Sequence, residues 1–159
     1  MEILKNLKTN AKLQAFSFFK VPMLFYARPR LVTITKDRLE LKIPLARRTK
    51  NHLHTMYFGA LNIGAEAAVG LLAYQLMDEL GAKNINLIFK DFHADFLKRA
   101  EGDVHFICEE GKKKKEKKKA ALQTGERMNF PVHITAIVPK ISKNEAVAKF
   151  ILTLSLKKK

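Results

Sequence analysis

The stretch Asn51–Gly70, NHLHTMYFGALNIGAEAAVG, decides the fold, because it joins a polar loop to the least polar helix that the sequence predicts. From 58 to 72, only Asn62 and Glu66 interrupt a run of apolar side chains and glycines. A helix that is apolar on every side is normally buried on every side. The sequence therefore predicts one long core helix, around which the rest of the chain is wrapped.

The acid in this helix, Glu66, is the first candidate catalytic residue. A carboxylate that leaves water is strongly destabilised unless it is paired, hydrogen-bonded or protonated. Burial also raises the pKa of a carboxyl, and a carboxyl with a raised pKa is a frequent catalytic base. The spacing alone supports a structural acid equally well, bonded to the backbone or to an arginine of a neighbouring strand.

Small and polar residues share one face of the predicted helix, because they recur at intervals of three or four: Gly59, Asn62, Glu66, Gly70 and Ala73. This face leaves space beside the carboxylate, although glycines also permit close packing. If the helix begins near Tyr57, the N–H groups of Phe58, Gly59 and Ala60 can bind an oxygen that gains negative charge. The pattern predicts attack on a polarised carbonyl, with Glu66 supplying or activating the nucleophile.

The same helix is long enough to cross a bilayer if it runs from Phe58 to Met77. Asn62, Glu66 and Gln75 argue against a membrane span, and the alternating segments that follow need a central helix on which to pack. A core helix is therefore the favoured interpretation.

These residues carry a resemblance to a known family. Asn51, Gly59, Ala60-Leu61 and Ala65-Glu66 have the spacing of the hotdog-fold acyl-CoA thioesterases, and are most similar to the phenylacetyl-CoA thioesterase type and its little-characterised bacterial relatives. In that family an Asn, a His-Gly-Gly turn and a helix-borne Asp or Glu stand at these positions. The similarity extends from about residue 30 onward and includes 95–103, which resembles the strand-turn-strand after the helix.

Two positions depart from the family pattern. Nine residues before Glu66 is Tyr57, and six residues before that is Asn51, so Tyr57 stands where the family has its His. Phe58 stands where the family has its first Gly. A backbone donor survives a change of side chain, whereas the Phe58 ring narrows the acyl channel or shifts the loop.

The resemblance implies an α+β hotdog fold, in which a curved antiparallel sheet wraps round one long central helix, preceded by an N-terminal helix. It implies hydrolysis of an acyl thioester, expected to be an acyl-CoA or an acyl carrier. Glu66 would activate water or attack the carbonyl, the N–H groups of Phe58 and Gly59 would hold the oxyanion, and Asn51 would orient water or the thioester. Coenzyme A enters only as part of the substrate, and no further cofactor or metal is expected.

The resemblance also implies a homodimer or a tetramer, in which the Asn51 loop of one subunit meets Glu66 of the other. We expect Tyr57 and Asn62 to contact the substrate. Arg47 and Arg48 precede Asn51 and are placed to meet the substrate's phosphates, although a solvated basic loop is the commoner arrangement.

Composition bounds the remaining possibilities. The 159 residues, of which 47% are apolar, predict one domain, with an N-terminal amphipathic helix and aromatic segment at 1–28 and the hotdog domain at 29–159. The chain has a single cysteine, Cys108, and polar residues interrupt its first residues, so they do not form the apolar run of a secretory signal. Both features favour a reducing cytoplasm. The net charge of +15 favours an anionic partner, which could be nucleic acid, a membrane surface or the phosphates of coenzyme A. With the resemblance, no nucleic acid is expected.

Other segments are read from their periodicity. Residues 3–19 predict an amphipathic helix, and 23–26 could line an acyl pocket, although such a run is more often plain core. A peripheral membrane contact through residues 1–26 is the less favoured alternative. Period-two segments predict five or six strands, with a bulge near Lys90-Asp91, and the lysine-rich 111–119 predicts a solvated segment.

Two further function classes remain. A dehydratase of the same fold ranks low, because no His-x-Phe-Pro occurs and the acid lies too far from the glycine turn. The alternative from a different class is a non-enzymatic hotdog domain that binds acyl-CoA or an anionic surface.

Overall fold

The computed structural model describes residues 2–35, 37–79, 81, 85–109 and 126–158. The described helices are α1 (Glu2–Lys20), α2 (Pro22–Ala27), α3 (Phe58–Glu79) and α4 (Pro139–Ser142). The described strands are β1 (Arg30–Ile34), β2 (Arg38–Ile43), β3 (Ile85–Phe96), β4 (Val104–Glu109), β5 (Met128–Ile137) and β6 (Ala146–Lys158). The lysine-rich segment at 111–119 lies outside the described residues.

The six strands form one antiparallel sheet in the order β1-β2-β4-β5-β6-β3. Alternate residues of each inner strand point to the same side, where they are buried, as in the series Val104, Phe106 and Cys108 of β4. Helix α3 packs against this buried face of the sheet. The arrangement is the predicted α+β architecture, with one long apolar helix and six strands.

Helix α3 is buried on the side that faces the sheet. Gly64 allows the closest approach, because a Cβ there would lie 2.2 Å from a ring carbon of Phe106. The opposite face, which includes Asn62, Glu66 and Gly70, is only half-buried. The prediction that this helix is buried on every side is therefore wrong for the single chain, because nothing among the described residues fully covers its outer face.

Among the described residues, α3 is also the one helix that is long and apolar enough to cross a bilayer by length and composition. Much of its surface is buried against the sheet, which is how the core helix of a folded domain behaves. Gly81 follows its end with a φ of +57°, the left-handed conformation that Gly adopts without strain just past a helix.

The predicted bulge is confirmed in β3. The pairing of β3 with β6 shifts register between Phe89 and Asp91. Before the shift, Phe89 packs on the core, whereas after it Phe92 and Phe96 contact the ring of Phe150 with centroid distances of 5.9 and 6.2 Å. The bulge therefore keeps aromatic side chains on one face of a twelve-residue strand.

Helix α1 covers the β1 edge of the sheet. The side-chain amides of Asn6, Asn10 and Gln14 lie one helical turn apart and hydrogen-bond with main-chain atoms of residues 29–32. Asn10 does so twice, because its Nδ2 donates to the carbonyl oxygen of Leu31 (3.0 Å) and its Oδ1 accepts from the Leu31 N–H (2.7 Å). These amides take the place of a neighbouring strand.

The aromatic segment after α1 forms α2, and only part of it packs in the core. Leu24 is buried and Phe25 half-buried, which is the core packing that such segments usually show. Met23 and Tyr26 are exposed instead, so half of this segment faces away from the core.

Candidate active site

A buried threonine builds the loop that leads to the candidate site. The Thr49 hydroxyl donates to the carbonyl oxygen of Pro44 (2.7 Å) and accepts from the N–H of Ala46 (2.9 Å). The loop therefore projects Arg47 and Arg48, which are exposed. Arg48 turns towards α2, because its Nη1 donates to the Tyr26 carbonyl oxygen (3.4 Å) and its Cζ lies 5.8 Å from that ring's centroid.

Asn51 organises the turn that follows. Its Oδ1 accepts hydrogen bonds from the N–H groups of Leu53 (2.9 Å) and Thr55 (3.2 Å), and its own N–H donates to the Thr55 carbonyl oxygen (2.8 Å). Among the described residues, no acceptor faces its side-chain Nδ2. The carbonyl half of this side chain therefore fixes the loop, and the N–H₂ half remains free to donate to a bound molecule.

The loop is anchored to the start of α3. The N–H of Tyr57 donates to the Thr49 carbonyl oxygen (2.8 Å), and the carbonyl oxygen of Tyr57 accepts from Leu61 (3.1 Å) as the first bond of the helix. Because no described acceptor faces the N–H groups of Phe58 and Gly59, the predicted donor pair is present at this helix end.

The ring of Tyr57 folds over this first turn. A Cβ on Gly59 would lie 2.4 Å from Tyr57 Cε1, so the space beside Gly59 is already filled by the ring. Phe58 lies edge-on to Tyr57 at a centroid distance of 4.8 Å. The two residues that differ from the family pattern thus form an aromatic wall beside the helix N-terminus.

Glu66 lies on the half-buried outer face of α3. Burial raises the pKa of its carboxyl above the ordinary value. No described residue forms an ion pair or hydrogen bond with it, so the structural role through an arginine or the backbone finds no partner in the described part of the chain. Asn62, one turn earlier on the same face, holds its Oδ1 buried with no hydrogen-bond partner among those residues.

The helix start and Glu66 lie about two turns apart on the same face of α3. Seven residues separate Gly59 from Glu66, which amounts to about 10 Å between their backbone positions along the helix at about 1.5 Å per residue. Side chains of a helix lean towards its N-terminus, so the Glu66 carboxyl extends back towards the helix start. The described chain therefore holds the donor pair and the carboxyl on one face of α3.

Sequence reasoning missed the aromatic surface beside the helix start. Phe58 and Phe96 approach with a centroid distance of 6.2 Å, although they come from α3 and the end of β3. Both are about half exposed, as is the nearby Phe92. The period-two alternation of β3 after its bulge places Phe92 and Phe96 on the helix-facing side, and this pattern in the sequence could have predicted the aromatic surface.

A polar cluster on the outer face of β2 and β4 was also missed. Glu40 Oε1 lies 2.6 Å from His105 Nδ1, and Glu40 Oε2 accepts from Arg38 Nη2 at 2.9 Å. Burial raises the pKa of the Glu40 carboxyl, but the bonds to His105 and Arg38 outweigh it and leave this pKa below its ordinary value. The cluster lies on the face of the sheet opposite α3, so it belongs to the sheet and not to the candidate site.

No group of three or more His, Cys, Asp or Glu residues in the described segments is placed to hold a metal ion. His52 and His54, which lie in the Asn51 loop, are both exposed.

A family model matches residues 9–154, and its description is Domain of unknown function (DUF4442). The chain belongs to the DUF4442 family. No curated protein is detectably similar to it in sequence.

Solved structures are similar over nearly the whole length of this DUF4442 member. A protein of unknown function from Chlorobaculum tepidum is 17% identical with a TM-score of 0.83, covering 97% of this chain and 97% of that one. A thioesterase from Pseudomonas aeruginosa, solved as a mutant, is 14% identical with a TM-score of 0.69, covering 94% of each chain. A thioesterase family protein from Silicibacter pomeroyi is 21% identical with a TM-score of 0.65, covering 94% of this chain and 99% of that one.

These likenesses establish the fold. The protein has the hotdog fold that the family resemblance implied, with its six-stranded antiparallel sheet packed on α3. The narrower resemblance to the phenylacetyl-CoA thioesterase type stays a prediction.

Proposed function

We propose that this protein hydrolyses an acyl thioester, with an acyl-CoA as its substrate. The observation that carries the proposal is Glu66, a half-buried carboxyl on the outer face of the core helix, whose pKa is raised by burial and which pairs with no described residue. A half-buried carboxylate without a partner destabilises the fold, and groups of this kind concentrate at functional sites. The thioesterases that share the fold supply the reaction class.

In the proposed reaction, Glu66 takes a proton from a water molecule that attacks the thioester carbonyl, or attacks that carbonyl itself to form an anhydride that water then cleaves. The carbonyl oxygen becomes an oxyanion held by the N–H groups of Phe58 and Gly59. The C–S bond breaks, the thiolate leaves and takes up a proton, and the acid is released. The free Nδ2 of Asn51 orients the water or the thioester.

The active site is proposed to lie between two chains. The family resemblance implies this arrangement, and the half-buried outer face of α3, which no described residue fully covers, leaves space for a second chain. In a homodimer, the Asn51 loop and helix start of one subunit meet Glu66 of the other, and the exposed aromatic surface of Phe58 and Phe96 becomes covered. A tetramer would be a dimer of such dimers.

Substrate binding is assigned to the groups around this centre. Tyr57 and Phe58 border the acyl chain, and the unpaired Oδ1 of Asn62 accepts a hydrogen bond from the substrate or its attacking water. Arg47 and Arg48 are exposed beside the loop and bind the phosphates of coenzyme A.

The first test compares Glu66→Gln with Glu79→Gln, which makes the same chemical change at an exposed position of the same helix. Thiol release from acyl-CoAs of graded chain length should fall about 100-fold or more for Glu66→Gln and stay near wild type for Glu79→Gln. The melting temperature of Glu66→Gln should be unchanged or higher, because the substitution removes a charge that burial disfavours. A lower melting temperature with wild-type turnover would instead show a structural acid.

The pH dependence follows from the same carboxyl. A general base must be ionised, so kcat/KM should fall as the pH is lowered through the raised pKa of Glu66. The acid limb should therefore lie above the ordinary pKa of an exposed glutamate. An acid limb that persists unchanged in the residual activity of Glu66→Gln would assign it to another group.

One observation favours the alternative of a non-enzymatic acyl-CoA-binding domain. The Tyr57 ring fills the space beside Gly59, which reduces the room for a substrate oxygen at the proposed oxyanion site. Tyr57→His restores the family residue, and Tyr57→Ala opens the space. If wild type and both variants bind acyl-CoA but none releases thiol from it, the binding function replaces the catalytic one.

Mixed dimers test the shared site directly. Asn51→Ala and Glu66→Gln subunits, each inactive alone, should recover about a quarter of wild-type turnover after co-refolding, because half of the dimers are mixed and each has one intact site of two. If both residues acted within one chain, no mixed dimer would contain an intact site and no activity would return.

A further inference from the structure

The outer surface of α1 and α2 carries exposed aromatic and aliphatic side chains that the proposed catalytic site does not use. Phe19 is 77% exposed and Met23 is 65% exposed, and Leu7, Phe16, Phe18 and Tyr26 are each more than half exposed. Isolated exposed apolar residues are common, but a contiguous group of this kind marks a surface that binds something.

The group is contiguous across the two helices. The ring of Phe18 contacts the rings of Phe19 and Phe25, in each case edge-on with centroids 5.0 Å apart. Phe25 belongs to α2, which also presents Met23 and Tyr26. We name this surface, formed by residues 16, 18, 19, 23, 25 and 26, the aromatic corner.

Basic residues adjoin the aromatic corner on two sides. Lys8, Lys12 and Phe19 are spaced four and seven residues apart, so they share the face of α1 opposite the amides that hold β1. On the α2 side, the Arg48 guanidinium lies over the Tyr26 ring. A cleft of about 570 Å³ also borders Phe25, but Asn10 and Gln14 line it, so with Arg28, Arg30 and Lys42 it lies on the β1 side of α1.

The stretch from residue 3 to residue 36 contains no acid to offset its own cations, whereas Lys42 pairs with Asp103 (3.3 Å). Residues 3–36 include no Asp or Glu and seven basic residues, which are Lys5, Lys8, Lys12, Lys20, Arg28, Arg30 and Lys36. A cationic surface with aromatic and aliphatic side chains at its centre is complementary to an anionic bilayer, whose headgroups attract the charges while the apolar side chains enter the acyl boundary.

We propose that the aromatic corner and the basic face of α1 dock this protein on an anionic lipid bilayer. Phe16, Phe19 and Met23 insert at the headgroup level, and Lys8 and Lys12 contact lipid phosphates. A nucleic-acid site fits less well, because the surface is the outer side of two helices and not a groove, and Leu7 and Met23 offer no plane on which a base can stack.

The chain contains no Trp, so one introduced Trp reports on insertion without background. In Phe19→Trp, emission should shift to shorter wavelength on addition of phosphatidylcholine vesicles that contain a quarter phosphatidylglycerol, and much less with phosphatidylcholine alone. Tyr74→Trp, which replaces a half-exposed aromatic residue on α3, is the matched control and should not shift. Equal shifts for both reporters, or none for Phe19→Trp, would overturn the proposal.

Co-sedimentation of the full chain with the same vesicles measures the binding itself. The vesicle partition coefficient of Phe16→Ser/Phe19→Ser should fall about tenfold or more below that of wild type. That of Lys8→Gln/Lys12→Gln should fall by a comparable factor at low salt, and this difference from wild type should disappear at high salt, where the charges are screened. Ile141→Ser, which removes an exposed apolar side chain elsewhere, should bind as wild type. Circular dichroism and melting temperature check that each variant is folded.

Three results would overturn the proposal. Vesicle binding that survives Phe16→Ser/Phe19→Ser but is lost when Lys112 to Lys115 are replaced by Ser would assign it to the lysine-rich segment. A smaller mass for Phe16→Ser/Phe19→Ser in sedimentation without lipid would make the corner an interface between copies of the chain. Binding to a single-stranded oligonucleotide, but not to vesicles, that is lost in the same variant would make it a nucleic-acid site.

Discussion

The two edges of the sheet are treated in opposite ways. At the β1 edge, Asn10 and its neighbours on α1 hydrogen-bond with the main chain of the strand, so little of this edge is left to pair. At the β3 edge, the twelve-residue strand pairs with β6 on one side, and no described residue covers its other side. Unpaired strand edges attract further strands unless they are blocked.

The difference shows where a second chain can add. An edge blocked by side-chain amides terminates the sheet, whereas a long edge with exposed Ile88, Phe92 and Phe96 invites continuation by a copy of itself. Two β3 strands paired in this way would form one sheet across both subunits. The open edge also ends beside Phe58, so the same contact would bring a partner to the proposed active site.

The largest effect is expected from a charge on the open edge. Ile88 is 51% exposed in the single chain, so Ile88→Glu should fold, whereas a β3–β3 dimer would lose two apolar side chains along the paired edges and gain two like charges there. Together these changes cost about 3 kcal/mol, which weakens dimerisation about 100-fold. Analytical ultracentrifugation should show the monomer, and thioester turnover should fall with it because the proposed site is shared.

Ile141→Glu is the matched control, because Ile141 is 59% exposed and lies in α4, outside the sheet. It should stay dimeric and active. If Ile88→Glu remains a dimer at micromolar concentration, the two subunits do not pair through β3, and the open edge does not explain assembly.

Much of this architecture could be predicted from local pattern. The apolar run from 58 to 72, continued to Met77 and ended before Gly81, predicted α3, and period-two alternation predicted the strands and the bulge near Lys90-Asp91, because both signals depend on neighbours in sequence. The start of α3 after Tyr57 was also predicted, and with it the free N–H groups of Phe58 and Gly59.

What could not be predicted depends on contacts distant in sequence. Asn6, Asn10 and Gln14 resemble the solvent-facing residues of any amphipathic helix, and only the position of β1 reveals them as its hydrogen-bond partners. The Glu40–His105 pair joins residues that are 65 positions apart and meet only through the register of β2 and β4. The half-buried outer face of α3 was missed because composition alone does not distinguish one chain from an assembly.

A smaller effect is expected from opening the closed edge. Asn10→Leu keeps approximate size but leaves both main-chain groups of Leu31 without their partner, at a cost of about 1–3 kcal/mol. The melting temperature should fall by about 2–12 °C for a chain of this length. The melting temperature of Asn10→Asp should fall less, because the new carboxylate still accepts a hydrogen bond from the Leu31 N–H. Lys12→Ala on the outer face should be neutral. Because Leu and Ala are both better helix formers than the residues they replace, a loss confined to Asn10→Leu is due to the missing hydrogen bonds, and an equal loss in both variants would contradict this assignment.

The smallest effect concerns the pairing of β2 and β4 behind the closed edge. The folded-state pKa of Glu40 lies below its ordinary value, because the bonds to His105 and Arg38 outweigh the effect of burial. The stability that it contributes is therefore fully present above the unfolded-state pKa of about 4.5 and is lost as the pH falls through the lower folded-state pKa. Above pH 5, Glu40→Gln should lower the melting temperature by a few degrees, the scale of about 1 kcal/mol in such a chain.

Between pH 5 and pH 3 the wild-type melting temperature should fall more steeply than that of Glu40→Gln, so that the two curves converge. For Glu101→Gln, at an exposed position outside the strands, the curve of melting temperature against pH should run parallel to that of wild type over the same range. Parallel curves for wild type and Glu40→Gln would mean that the carboxylate contributes no ionisation-dependent stability.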